Sequence, residues 1–118
     1  MSRVRVENEQ LIITMQGSRK FWASKSEVTI DMKNVTGVTS GIEWKDTPKF
    51  FDRVHGTDAG FYFGGKFEQD GKTVFYDLKK REDAVVISIN DDDFDTLIIG
   101  VDDSAATVKL IKQALTED

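Results

Sequence analysis

The chain contains no cysteine, a single proline and a single histidine, and it has no long apolar run. The missing cysteine excludes disulfides, thiolate metal ligands and a cysteine nucleophile. No segment approaches the roughly 20 consecutive apolar residues of a membrane-spanning helix. The first ten residues, MSRVRVENEQ, have no apolar stretch after their basic residues, so no secretory signal is predicted. We therefore expect a cytoplasmic protein.

The charge balance is acidic, with 21 Asp and Glu residues against 16 Lys and Arg residues and a formal net charge of −5. A surface that binds nucleic acid needs clustered positive charge, so no nucleic-acid partner is expected. The same balance disfavours attraction to an anionic membrane. A length of 118 residues, with 39% hydrophobic and 31% charged residues, is typical of globular proteins. We expect a single domain over residues 1–118.

Alternation of apolar and polar residues recurs along most of the chain and predicts a β-sheet. Residues 3–7 and 11–16 form a predicted hairpin around Asn8 and Glu9, and Gly37 marks an expected bulge in a strand over residues 35–40. The Asp70-Gly71 pair predicts a second tight turn. Further strands are expected over residues 28–32, 60–67, 74–78, 85–89 and 97–101.

The C-terminal segment SAATVKLIKQALTED has helical periodicity. Asp102, Asp103 and Ser104 are candidates to cap its first turn. One helix cannot cover both faces of a large sheet, so we expect about seven antiparallel strands to curl into a barrel that the helix caps. The predicted fold class is mainly β (α+β). The expected apolar stripe of the helix consists of Ala105, Val108, Ile111 and Leu115.

Four phrases carry a resemblance to a known family: SEVTIDMKNVTGV, HGTDAGFYFGGKF, TVFYDL followed by AVVISI, and FDTLIIGVDDSAATVKLI. Together they cover most of residues 27–115, apart from the segment around Pro48. In these phrases the chain resembles the bacterial pleckstrin-homology (PH-like) domain family of uncharacterised proteins. The resemblance implies a PH-like barrel with a C-terminal helix and a binding role rather than catalysis.

The residues that often support catalysis or metal binding do not form a recognisable set here. His55 has no second histidine or cysteine to complete a site, and we predict that it is a structural turn residue. Residues 90–95 lack the glycine and glutamate spacing of a calcium loop, so an exposed acidic turn is predicted, with weak cation binding as the alternative. Gly60, Gly64 and Gly65 match no phosphate loop and are expected to let the sheet bend. No catalytic residue, metal ligand or cofactor is predicted.

Two aromatic segments are candidate binding surfaces. The stretch over residues 19–25 mixes cations with aromatics, which suits an anionic ligand or a membrane surface, although it is also compatible with a turn packed on the barrel. The segment over residues 44–52 lacks periodicity, and aromatics on such loops often anchor partners or close a barrel end. The candidate binding residues are Arg19, Lys20, Trp22 and Lys25 in the first segment and Trp44, Phe50 and Phe51 in the second.

These observations predict a small non-enzymatic binding module with an unidentified protein or peptide as its partner. The alternative is peripheral binding to a membrane or lipid head group through the basic and aromatic residues 19–25. Association with further copies of the chain is compatible with either function.

Overall fold

The computed structural model describes residues 2–16, 27–42, 53–58, 62–79, 82–91 and 93–116. Within these residues the protein is mainly β, with two sheets and a C-terminal α-helix, which confirms the predicted fold class. None of the helices in the described part of the chain has the length and apolar character needed to cross a membrane.

The smaller sheet is a three-stranded antiparallel meander of β1 (Arg3–Glu7), β2 (Gln10–Thr14) and β3 (Glu27–Asp31). Its first turn places Asn8 and Glu9 at φ values of 51° and 63°. Two successive residues with positive φ match the twist of a two-residue hairpin. The hairpin predicted from the sequence is therefore confirmed. A short 3₁₀-helix, Met32–Asn34, follows β3.

The larger sheet has six strands in the order β4-β8-β9-β7-β6-β5. The turn between β6 and β7 has Asp70 and Gly71 at φ values of 52° and 78°, as predicted. A register shift between Val35 and Gly37 confirms the bulge in β4. The six strands are β4 (Val35–Ser40), β5 (Arg53–Asp58), β6 (Tyr62–Gln69), β7 (Lys72–Lys79), β8 (Asp83–Ile89) and β9 (Thr96–Val101).

The predicted closed barrel of about seven antiparallel strands is wrong. The described residues form nine strands in two sheets, and each sheet ends in strands with one neighbour. The smaller sheet and the helix cover one face of the larger sheet, so its apolar side chains are buried by stacking rather than by closure. Strand β5 was not predicted because RVHGTD lacks clear alternation.

Strand β9 pairs in parallel with β7 and antiparallel with β8, so the larger sheet is not purely antiparallel. Leu97, Ile98 and Ile99 are all buried, although they point alternately to opposite faces. A strand that is apolar on both faces is stabilised at the centre of a sheet, where both faces are covered. The apolar residues on both faces of β9 therefore account for its central position in the larger sheet.

The two faces of the larger sheet bury different clusters of side chains. Phe75 belongs to the cluster shared with the smaller sheet and the helix, whereas its neighbour Tyr76 belongs to a cluster on the opposite face. Phe67 and Tyr76 pack edge to face in this second cluster, with ring centroids 5.2 Å apart. The second cluster comprises Phe63, Phe67, Val74, Tyr76, Leu78, Ala84 and Ile98.

Helix α1 (Ser104–Thr116) packs on the first cluster through Ile111, which is fully buried. Val108 and Leu115 are partly buried beside it, as the predicted stripe requires, but Ala105 is exposed. Asp103 caps the helix, because its Oδ1 accepts a hydrogen bond of 3.0 Å from the backbone N–H of Ala106. The predicted helix start and its cap are therefore confirmed.

Candidate functional site

The binding residues predicted from the sequence lie outside the described residues, so they remain predictions. This applies to the whole set: Arg19, Lys20, Trp22, Lys25, Trp44, Phe50 and Phe51. Candidate sites in the described part of the chain come from other features: the acidic turn, a buried carboxylate, the edges of the smaller sheet and two surface areas.

The acidic turn before β9 is held by its own side chains and by β7. Asp95 Oδ2 accepts a hydrogen bond of 2.8 Å from the N–H of Thr73, and the N–H of Asp95 donates to the Thr73 carbonyl at 2.8 Å. Phe94 is buried against Phe75, with ring centroids 5.4 Å apart. Within the described ranges, no three acidic or histidine side chains are grouped to hold a metal ion. The turn therefore positions β9 beside β7.

Glycines allow β5 and β6 to approach closely. Gly56 has a φ of +135° and pairs with Gly65, and a Cβ on Gly56 would lie 2.8 Å from Gly65 Cα and closer still to the carbonyl oxygen of Gly64. Gly64 leaves room for Tyr62, whose ring carbon would lie 2.7 Å from a Cβ on Gly64. His55 lies in β5, not in a turn as predicted. These glycines serve strand packing.

A buried carboxylate links strand β7 to the start of the chain. Asp77 is inaccessible to solvent, and it accepts hydrogen bonds from the Ser2 hydroxyl and, at 2.6 Å, from the Tyr62 hydroxyl. The backbone N–H of Ser2 also donates to the Gly100 carbonyl at 2.8 Å. Nothing in the alternating TVFYDL phrase distinguishes Asp77 from an exposed strand residue. Its hydrogen bonds and complete burial indicate a structural link between Ser2, β6 and β7.

We expect Tyr62→Phe to lower the free energy of unfolding by about 2 kcal/mol, because Asp77 would lose a donor in a site closed to water. Tyr76→Phe is the matched control, since the Tyr76 hydroxyl donates to the neutral amide oxygen of Gln69. Its expected loss is about 1 kcal/mol. Urea denaturation of both variants measures the difference, and equal losses would contradict the structural role of Asp77.

The outer edges of the smaller sheet are a candidate interface in the described chain. No described strand pairs with the outer edge of β1 or of β3. Each edge presents backbone N–H and C=O groups with which a further strand is able to form hydrogen bonds. The sequence predicted these strands but contained no signal that they lie at edges.

Strand β3 is a regular edge with a sharp division between its two faces. Val28 and Ile30 are buried, with exposed fractions of 6% and 5%, whereas Glu27, Thr29 and Asp31 are exposed. Anchored apolar side chains hold the backbone in place. The strand is therefore ordered, and its exposed face carries the carboxylates of Glu27 and Asp31.

Strand β1 has a different surface. Arg3, Arg5 and Glu7 are exposed, and the alternating Val4 and Val6 are only half-buried. Arg5 lies 3.3 Å from the carboxylate of Glu7 and 3.8 Å from that of Glu27 on β3. This edge therefore carries both signs of charge.

A shallow surface area on helix α1 is lined by Ala105, Val108, Lys109, Lys112, Gln113 and Thr116. Leu110, on the same helix, has an exposed fraction of 39%. A smaller polar hollow of about 230 Å³ lies between the first hairpin turn and the 3₁₀-helix, lined by Asn8, Glu9, Gln10, Asp31, Met32 and Lys33.

No protein-family model, curated protein or solved structure matches this chain. The resemblance to the PH-like family therefore rests on the four sequence phrases quoted in the first subsection.

Proposed function

We propose that this protein is a small non-enzymatic binding module of PH-like type, which acts in the cytoplasm on a protein or peptide partner. The mainly β architecture with a C-terminal α-helix supports this proposal at the level of fold class. The observation that carries it is the outer edge of β3, an ordered strand without a described neighbour on that side.

An extended peptide binds such an edge by adding one strand to the sheet. Backbone hydrogen bonds then provide affinity, and alternate side chains provide specificity. Val28 and Ile30 hold β3 in the core, so little conformational freedom is lost when a partner strand adds to it. The binding surface requires no rearrangement of the smaller sheet.

The charges on β3 define the chemistry of the partner. Glu27 and Asp31 are exposed and four positions apart, so they lie on the same face of the strand. Opposite charges on neighbouring strands stabilise pairing, whereas like charges oppose it. The partner segment is therefore extended and carries Lys or Arg at two positions separated by three residues.

The probe for this proposal is the designed peptide Lys-Val-Thr-Val-Lys with blocked termini, compared with Glu-Val-Thr-Val-Glu. We expect the basic peptide to bind about two- to thirtyfold more tightly, because two cross-strand pairs contribute 0.2–1 kcal/mol each. Backbone amide shifts over residues 27–31, followed by NMR titration, measure both affinity and location. The double variant Glu27→Lys with Asp31→Lys should reverse the preference.

The matched control is Glu68→Lys with Asp102→Lys, which makes the same change in net charge at two exposed positions outside the smaller sheet. This control should keep the preference of the native protein. Equal binding of the two peptides, or a reversal in the control as well, would contradict docking at β3. Cosedimentation with phosphatidylserine vesicles tests the lipid alternative, since binding through residues 19–25 would weaken as salt is raised.

A further inference from the structure

Strand β1 has a charge pattern that is complementary to itself in the antiparallel direction. Its sequence is Arg3-Val4-Arg5-Val6-Glu7. When two copies of this strand are placed antiparallel with Arg5 at the centre, Arg3 of each copy faces Glu7 of the other. Val4 of each copy likewise faces Val6 of the other. The pairing joins opposite charges twice and places the valines together on one face.

The exposure of the valines indicates that this edge is incompletely covered within one chain. Val4 pairs with Ile13 and Val6 pairs with Leu11 on β2. Those partners have exposed fractions of 1% and 0%, whereas both valines are only half-buried against the same core. A second β1 strand would cover the exposed flank of both valines.

The centre of the pairing places Arg5 opposite Arg5 of the second copy. Within each chain, Arg5 already lies 3.3 Å from a Glu7 carboxylate oxygen and 3.8 Å from a Glu27 oxygen. These carboxylates offset the central repulsion, which solvent also screens at an exposed position.

The other edge of the same sheet is not self-complementary. An antiparallel pair of β3 strands centred on Thr29 would place Glu27 of each copy opposite Asp31 of the other. This arrangement brings four carboxylates together. The charges therefore separate the two edges: β1 favours a second copy of the chain, and β3 opposes one.

We infer that two copies of this protein associate through their β1 strands about a two-fold axis at Arg5. The product is a continuous six-stranded antiparallel sheet in the order β3-β2-β1-β1-β2-β3. This contact is isologous, since the same residues lie on both sides. Two paired strands of five residues bury less surface than the about 1,200–2,000 Å² of a stable protein–protein interface. The dimer therefore exchanges with the monomer and forms as the protein concentration rises. The β3 edges remain open at both ends.

The first test uses sedimentation equilibrium over a wide range of protein concentration. We expect the native chain to dimerise reversibly and Glu7→Arg to raise the dissociation constant at least about fourfold, because two attractive pairs become repulsive. The double variant Arg3→Glu with Glu7→Arg restores opposite charges across the interface, so its dissociation constant should return close to the native value. Glu68→Arg, an equal charge change at an exposed residue of β6, should leave it unchanged.

The second test uses the absence of native cysteine. Cysteine at position 5 lies on the two-fold axis, so Arg5→Cys should form a disulfide between copies on mild oxidation. Glu7→Cys alone should not, whereas an equimolar mixture of Arg3→Cys and Glu7→Cys should form the mixed dimer. Thermal melting under reducing conditions establishes that each variant is folded.

Two results would overturn the inference. One is a native protein that remains monomeric at every concentration. The other is disulfide formation by Glu7→Cys alone as rapid as that by Arg5→Cys, which would show collision without a defined register. These outcomes are independent of peptide binding at β3.

Discussion

Replacing Ile111 with aspartate is expected to lower the free energy of unfolding by about 4 kcal/mol or more. Ile111 is a fully buried residue of helix α1 and belongs to the first apolar cluster. An ionised carboxylate at this position would lose its hydration among apolar side chains, and a protonated one would still leave polar groups buried. Thermal and urea denaturation followed by circular dichroism measure the loss.

Two further variants make this prediction decisive. Lys109→Asp introduces the same carboxylate on the exposed side of the helix, and its expected cost is less than about 1 kcal/mol. If Ile111→Asp does not fold, Ile111→Ala still reports on the site, with an expected loss of about 2–5 kcal/mol. A native-like melting temperature for Ile111→Ala would mean that the helix does not pack on the sheet as described.

Gly56→Ala should destabilise the protein by about 3 kcal/mol or more. The residue has a φ of +135°, and an added Cβ would approach the backbone of Gly64 and Gly65 on the neighbouring strand. Backbone atoms in a paired strand have little room to move, so β5 and β6 would have to separate. Urea denaturation measures the loss of stability, and hydrogen exchange over residues 62–69 would show where pairing weakens.

Gly37→Ala is the control for this substitution. Gly37 also lies in an edge strand, but a Cβ there would have no neighbouring atom within 4 Å. Its expected change in stability is within about 1 kcal/mol, since it mainly restricts the unfolded chain. Equal losses for both variants would show that the cost at Gly56 does not come from contact of the added Cβ with the neighbouring strand. The close approach described for Gly56 would then be wrong.

The sequence by itself determined those features that depend on a few neighbouring residues. The Asp70-Gly71 turn follows from the small set of residues that tolerate positive φ, and the Asn8-Glu9 turn from the two alternating segments on either side of it. The need of the first helical N–H groups for an acceptor limited the cap to Asp102, Asp103 or Ser104, and the structure shows that Asp103 is the cap. Alternation along a strand likewise identified the buried faces of β3 and β8, but on β7 it indicated only the face of Val74, Tyr76 and Leu78, and Phe75 on the other face is buried as well.

The order of the strands was decided only by the tertiary structure. Alternation shows which side chains share a face, but it does not show which strand is the neighbour. The placement of β9 between β8 and β7 therefore could not be predicted, nor could the two open sheets in place of a barrel. The burial of Asp77 has the same origin, because its partners Ser2 and Tyr62 are distant in sequence.

For the candidate interfaces too, some features could be predicted from the sequence and others depended on the tertiary structure. The sequence indicated aromatic and basic segments, which are local in composition, and those predictions remain open because they fall outside the described residues. The charge patterns of RVRVE and EVTID were also present in the sequence. Only the strand order shows that both strands are at edges, since a backbone edge is defined by the absence of a neighbour. The sequence therefore determined which side chains β1 and β3 carry. The packing of the described chain determined that both strands have no described neighbour on one side.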